Sequence, residues 1–115
     1  MTTGRRQPPE RSDILKYWTL SSGIRILAAA NGFKNAFGYW PTRILLNRSM
    51  AEAIKEHILT PVGWAMLASK LDLVPIEEGT VIAEGTNDQS FEYGDEGEPD
   101  NVAAELWIWG VRLSG

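Results

Sequence analysis

The sequence predicts an α+β fold, with helices packed on one face of a small, mostly antiparallel β-sheet. Two observations lead to this prediction. Helical signals dominate the first two-thirds of the chain, and the clearest of them covers residues 60–71. Strand-like segments separated by glycine and acidic loops fill most of the remainder. We therefore expect a sheet built from Leu71 onward, to which residues 42–47 add one further strand.

The bulk composition predicts one domain and a cytoplasmic location. The 115 residues suffice for a single core, and a hydrophobic content of 43% is close to ordinary globular usage, which argues against disorder. The absence of cysteine excludes disulfides and thiolate zinc sites and fits a reducing compartment. Residues 1–11 are polar with adjacent prolines, so we predict a flexible N-terminal arm followed by a single domain over residues 12–115. No apolar run approaches the roughly 20 residues that span a bilayer.

The helix over residues 60–71 has a well-defined start and a broad apolar stripe. Thr60 is placed to accept a hydrogen bond from a free backbone N–H, and Pro61 suits the first helical position. Trp64, Leu67 and Leu71 then recur at helical spacing. We expect this helix to form the centre of the core.

A second helix is predicted immediately before it. Ser49 and Glu52 fit the capping-box pattern S-x-x-E, which starts a helix that ends before Thr60. The turn around Leu59 is very short, so the two helices form a tight pair that resembles a helix-turn-helix.

The first 47 residues contain one ambiguous segment. Ser12 or Asp13 can cap a short helix through residue 18. Over residues 24–40, the alanine run before Asn31 and Gly32 indicates a helix closed by a left-handed cap, while the same Asn-Gly pair also fits a hairpin with a type I′ turn. The alanines favour the helix.

The strands are predicted in the last third of the chain. Residues 71–76 and 80–84 flank a short loop that ends in glycine, which predicts a hairpin, and Pro75 places the first of these strands at an edge. Residues 91–93 form a short strand. Residues 104–113 are apolar on both faces of an extended chain, so we predict a central strand there.

The order helix, turn, helix, hairpin over residues 49–84 resembles the layout of a winged-helix domain. In that family the second helix enters the major groove, which requires side chains that reach bases and phosphates. Here the only cation of the second helix is Lys70, and the wing carries Glu77, Glu78 and Glu84. Acidic groups repel DNA, so the helix pair is better interpreted as core or as a protein-binding surface.

Charge is divided unevenly along the chain, and the leading functional hypothesis follows from this division. Residues 1–70 carry ten Lys or Arg and four acids, whereas residues 71–115 carry one Arg and eleven acids. We expect a non-catalytic protein-binding domain, an adaptor or inhibitor, whose acidic C-terminal surface engages a basic partner protein. The charge division also permits association between copies of the chain. The predicted partner-binding residues are Glu92, Asp95, Glu96, Glu98 and Asp100.

Two alternatives come from different functional classes. A nucleic-acid-associated regulator would use the basic arm, through Arg5, Arg6 and Arg11. A small enzyme has less support, because His57 is the single histidine and no catalytic motif accompanies it. We expect no cofactor, and the acidic stretch lacks the EF-hand pattern of a calcium site.

Overall fold

The computed structural model describes residues 11–15, 22–77, 81–93 and 101–111, and these residues form an α+β fold, as predicted. A π-helical segment, Ile54–Ile58, continues directly from the α-helix Arg48–Ala53. The helices are α1 Arg11–Ile14, α2 Ser22–Phe37, α3 Arg48–Ala53, α4 Pro61–Lys70 and α5 Asn101–Trp109. The strands are β1 Arg43–Asn47, β2 Asp72–Ile76, β3 Ile82–Glu84 and β4 Ser90–Glu92.

The sheet is mixed, with the strand order β2-β1-β3-β4. β1 pairs with β2 in parallel and with β3 antiparallel, and β3 pairs antiparallel with β4. The strands predicted at residues 42–47 and 91–93 are confirmed, and so is the edge position of Pro75. The predicted hairpin was wrong, because β1 lies between β2 and β3. The hairpin wing of the winged-helix layout is therefore not formed by these strands.

The physical reason for this order is the burial of β1. Ile44 and Leu46 are both completely buried. A strand buried to this degree needs a hydrogen-bonding neighbour on each side, because its backbone groups have no access to water. β2 and β3 occupy these two positions, so β1 separates them.

Helix α2 is the centre of the core. Eight consecutive residues, 26–33, are buried within it. The preference for a helix here is confirmed, but the predicted end at Asn31 and Gly32 was wrong. The left-handed cap occurs six residues later, where Gly38 has a φ of 86° and its N–H donates to the Lys34 carbonyl at 2.8 Å. Gly32 instead serves packing, because an added Cβ would overlap the ring of Phe91.

Helix α4 begins as predicted but contributes less to the core than expected. The Gly63 N–H donates to Oγ1 of Thr60 at 3.0 Å, and Pro61 occupies the first turn. Thr60 Oγ1 also donates to the Asp13 carbonyl at 2.6 Å, which ties α4 to α1. Of the α4 side chains, Leu67 is buried whereas Trp64 is only half-buried. The prediction that α4 forms the centre of the core was wrong.

The N-cap of α3 also differs from the predicted one. The helix starts at Arg48, and the Ser49 N–H donates to Oδ1 of Asn47 at 2.9 Å. Asn47 therefore takes the capping role assigned to Ser49. The short turn between the two helices is confirmed, since residues 59 and 60 alone separate Ile58 from Pro61.

The strand predicted over residues 104–113 was wrong, because residues 101–109 form helix α5. Its buried side chains are Ala104 and Ile108, together with Glu105 and Trp109, and each pair is four residues apart as in a helix. A short segment that is apolar all round has the same appearance as a buried strand or a buried helix. Here α5 packs against α2 and α4.

The N-terminal predictions are tested only in part. Helix α1 ends at Ile14, and Leu15 forms a β-bridge with Leu59, so the predicted helix does not run on through Leu15. The arm up to residue 10 and residues 16–21 lie outside the described residues. Within the part of the chain that is described, no helix has the length and apolar character required to cross a membrane.

The contact between Gly32 and Phe91 gives a testable prediction. Gly32→Ala should lower the free energy of unfolding by about 1–2 kcal/mol, because overpacking against the ring outweighs the gain of about 1 kcal/mol in helix propensity. Denaturant unfolding measures the change. In a Phe91→Leu background, which relieves the overlap, the same substitution should be neutral or stabilising. A gain in stability on Gly32→Ala in the otherwise wild-type chain would contradict this packing.

Candidate functional site

The two faces of the sheet have different environments. One face carries Ile44, Leu46 and Ala83, all with no exposed surface. Residues 44 and 83 lie opposite each other in the antiparallel pairing, so they share this face. Phe91 lies opposite Ala83 and brings β4 into the same layer, where its ring meets Gly32 of α2. The helices therefore cover this side of the sheet.

The other side, which we call the open face, carries four aliphatic side chains that are all half-buried. The register brings them together, because Leu45 lies opposite both Val74 and Ile82, and Ile76 follows Val74 two residues along β2. None of the four belongs to the hydrophobic core or to the side chains packed against it. Four aliphatic side chains from three neighbouring strands thus form an apolar area outside the core. They are Leu45, Val74, Ile76 and Ile82.

Charged residues surround this apolar area. Arg43 lies opposite Asp72 on one side and Glu84 on the other. Its Nε donates to Oε1 of Glu84 at 2.6 Å, with the two side chains 40% and 28% exposed. Glu92 lies opposite Ile82, and both Asp72 and Glu92 are exposed. The open face thus carries three carboxylates and one guanidinium group among its described residues, which makes it acidic.

The open face arises from a simple alternation in the strands. In β1 the sequence Arg-Ile-Leu-Leu-Asn buries its second and fourth residues and leaves the others half-exposed. In a strand, such alternate residues point to opposite faces. An apolar centre with an acidic border can dock a partner that carries both aliphatic and basic side chains. The sequence shows that these strands carry apolar residues on both faces. Only the register of the strands shows that Leu45, Val74 and Ile82 lie side by side on one face.

The structure places one of the predicted partner-binding residues with this face. Glu92 lies on β4, exposed, at the edge of the sheet. The remaining four, Asp95, Glu96, Glu98 and Asp100, lie outside the described residues. Sequence reasoning missed Asp72 and the four aliphatic residues of the open face. Asp72 belongs to the acid-rich part of the chain, but its position beside Arg43 depends on the parallel pairing of β1 and β2.

The residues of the two alternative functions are less well placed. Arg5 and Arg6 lie outside the described residues, and Arg11 is the first residue of α1, with its side chain not described. His57 is exposed within the π-helical segment. Among the described residues, no three acidic or histidine side chains come together as a metal site would require.

Comparison with protein-family models, with curated proteins and with solved structures finds no match for this chain.

Substitutions of two neighbouring residues of β1 test which residue faces the helices and which lies on the open face. Ile44→Ala should cost about 2–5 kcal/mol of stability, because it removes buried methyl groups and leaves a cavity. Leu45→Ala should cost only about 1 kcal/mol, since its side chain is half-exposed and loses less transfer free energy. Denaturant unfolding of both variants provides the comparison. Equal losses would mean that another part of the chain covers the open face.

Proposed function

We propose that this chain is a non-catalytic protein-binding domain, an adaptor or inhibitor, that engages a basic partner protein through the open face and the acidic stretch after β4. The observation that carries the proposal is the apolar area outside the core, with its acidic border. Protein interfaces combine a desolvated apolar centre with a polar rim, and both parts are represented here.

The apolar part of the face supplies the affinity. Leu45, Val74 and Ile82 occupy adjacent positions on three strands, so a partner side chain laid across them contacts a continuous aliphatic surface. Each is half-buried by its neighbours and gives up its remaining water contact on binding. Burial of apolar surface contributes roughly 25 cal/mol per Å².

The charges select the partner. The described residues of the open face include three carboxylates, Asp72, Glu84 and Glu92, and one guanidinium group, so the face carries an excess of negative charge. Glu92 immediately precedes the acidic stretch that contains Asp95, Glu96, Glu98 and Asp100. Basic groups on a partner would be steered toward this side of the domain, and the steering would weaken as salt shortens the Debye length from about 10 Å at 0.1 M to about 3 Å at 1 M.

A charge-neutralising pair of substitutions tests the proposal. The variant Asp72→Asn with Glu92→Gln should retain much less of a basic partner in pull-downs from the native host, quantified by mass spectrometry over a salt series. The matched control is Glu56→Gln with Asp88→Asn, which makes the same change in net charge at two exposed residues outside the four strands. Unfolding midpoints should remain close to wild type in both variants, because the substituted side chains are exposed.

A second variant tests the acidic stretch after β4 independently of the open face. Asp95→Asn, Glu96→Gln and Glu98→Gln together should weaken capture of the same partner without unfolding the domain. Val74→Thr should weaken it as well, since it places a hydroxyl in the apolar area while preserving shape. If none of these changes weakens capture of the partner, the open face is excluded as the binding surface.

One observation favours nucleic-acid binding as a second candidate. The indoles of Trp40 and Trp107 stack with ring centroids 4.5 Å apart, and Lys34 and Lys70 lie 5.9 and 6.0 Å from these two rings respectively. Proteins that bind single-stranded nucleic acid combine aromatic rings, on which bases stack, with neighbouring cations. This candidate is supported if the wild-type chain binds single-stranded DNA tightly with a steep salt dependence that Lys34→Gln and Lys70→Gln reduce.

A further inference from the structure

The edge strand β2 provides a second binding element beside the open face. β2 pairs with β1 along one side and forms one end of the described sheet. The Asp72 N–H donates to the Thr42 carbonyl at 3.0 Å, which shows that the backbone of Asp72 points toward β1. Because backbone groups alternate along a strand, the N–H and C=O of Leu73 point the opposite way, toward the edge with which no described strand pairs.

Pro75 has the same outward orientation as Leu73. It has no N–H, so the outer side of β2 offers both backbone groups of Leu73 but only the carbonyl of Pro75. This arrangement suits one strand that exchanges two hydrogen bonds with Leu73. It is unfavourable for an extended ladder between two copies of the chain, since proline on an edge strand limits such pairing.

A groove lies beside this edge on the helical side of the sheet. Its volume is about 210 Å³. It is lined by Trp64 of α4, by Leu73 and Pro75 of β2, and by residues of α3 and the π-helical segment, namely Arg48, Ala51, Glu52 and Lys55. Lys55 Nζ lies 5.5 Å from the centroid of the Trp64 ring. The groove is smaller than the roughly 300–1,000 Å³ of small-molecule sites, so it fits a single large side chain.

We propose that the partner binds as an extended segment that adds a fifth strand to the edge of β2 and inserts an aromatic side chain into this groove. The inference rests on the proposed function and specifies the conformation of the partner. A residue directly opposite Leu73 exchanges two hydrogen bonds with it and directs its side chain to the same face, into the groove. There an aromatic ring contacts Trp64 and receives the cation of Lys55.

The adjacent residues of the added strand point to the other side of the sheet. They lie beside Asp72 and Val74 on the open face, where basic side chains with long aliphatic stems match both the carboxylate and the apolar area. The bound segment therefore alternates basic residues with an aromatic or aliphatic residue. This alternation combines the acidic open face and the groove in one binding mode.

The probe is a capped pentapeptide, Lys-Phe-Lys-Val-Lys, titrated into the full chain. Isotope-labelled protein should show a shift and slower hydrogen exchange of the Leu73 amide as the peptide binds. N-methylation of the phenylalanine, which removes the N–H that faces Leu73, should weaken binding about tenfold. N-methylation of the central lysine, whose N–H faces away from β2, is the matched control and should leave the affinity close to that of the parent peptide.

Protein variants locate the binding site independently. Asp72→Asn should weaken binding several-fold, whereas Asp88→Asn, in the turn between β3 and β4, makes the same charge change and should have little effect. Strand addition is overturned if the peptide does not bind at millimolar concentration, or if both N-methyl peptides bind as well as the parent. It is also overturned if the Leu73 amide becomes protected by concentration-dependent self-association without peptide, which would make a second copy the occupant.

The two proposals fail in different ways. If the N-methyl peptides and the parent bind equally, but Asp72→Asn with Glu92→Gln abolishes both peptide binding and partner capture, strand addition is wrong and the open face remains the docking surface. If partner capture does not respond to the open-face variants, the proposed function itself is wrong, whatever the peptide does.

Discussion

The complete burial of two side chains of β1, Ile44 and Leu46, is the constraint on which the rest of the structure depends. Ile44 and Leu46 have no exposed surface, so β1 requires a helix layer over one face and a paired strand on each side. Strands β2 and β3 satisfy its backbone from either side. The interior position of β1 places Leu45 in the middle of the opposite face, between Val74 and Ile82. The open face is thus a direct result of the way in which the core is built.

Features that depend on a few adjacent residues could be predicted from the sequence. The start of α4 follows from the chemistry of Thr60 and Pro61, and the edge position of β2 follows from the missing N–H of Pro75. Prediction of the α+β class required only the approximate number and order of helices and strands. In each case the deciding interaction is local, so composition and spacing carry the information.

Features that depend on distant partners could not be predicted. Gly32 has the signature of a turn, yet its small size accommodates a ring that arrives from residue 91. Residues 104–109 pack against both α2 and α4, and the run from Leu106 to Trp109 is apolar without a break, which removes the periodicity that separates a helix from a strand. The open face escaped prediction for a related reason, since Asp72 and Val74 meet Arg43 and Leu45 only through a parallel pairing. Of the partner-binding residues proposed from charge, Glu92 alone lies among the described residues.

The pairing of β1 also has a consequence for how the chain folds during synthesis. Both neighbours of β1 come later in the sequence, and its antiparallel partner ends at Glu84, opposite Arg43. At a translation rate of roughly 5–20 residues per second, β1 leaves the ribosome about two to eight seconds before that partner is complete. During this interval one edge of β1 lacks its paired strand, and the nascent chain presents an aliphatic segment with unpaired backbone groups, of the kind that chaperones bind. Folding of this domain is therefore completed late, once the acidic third of the chain has emerged.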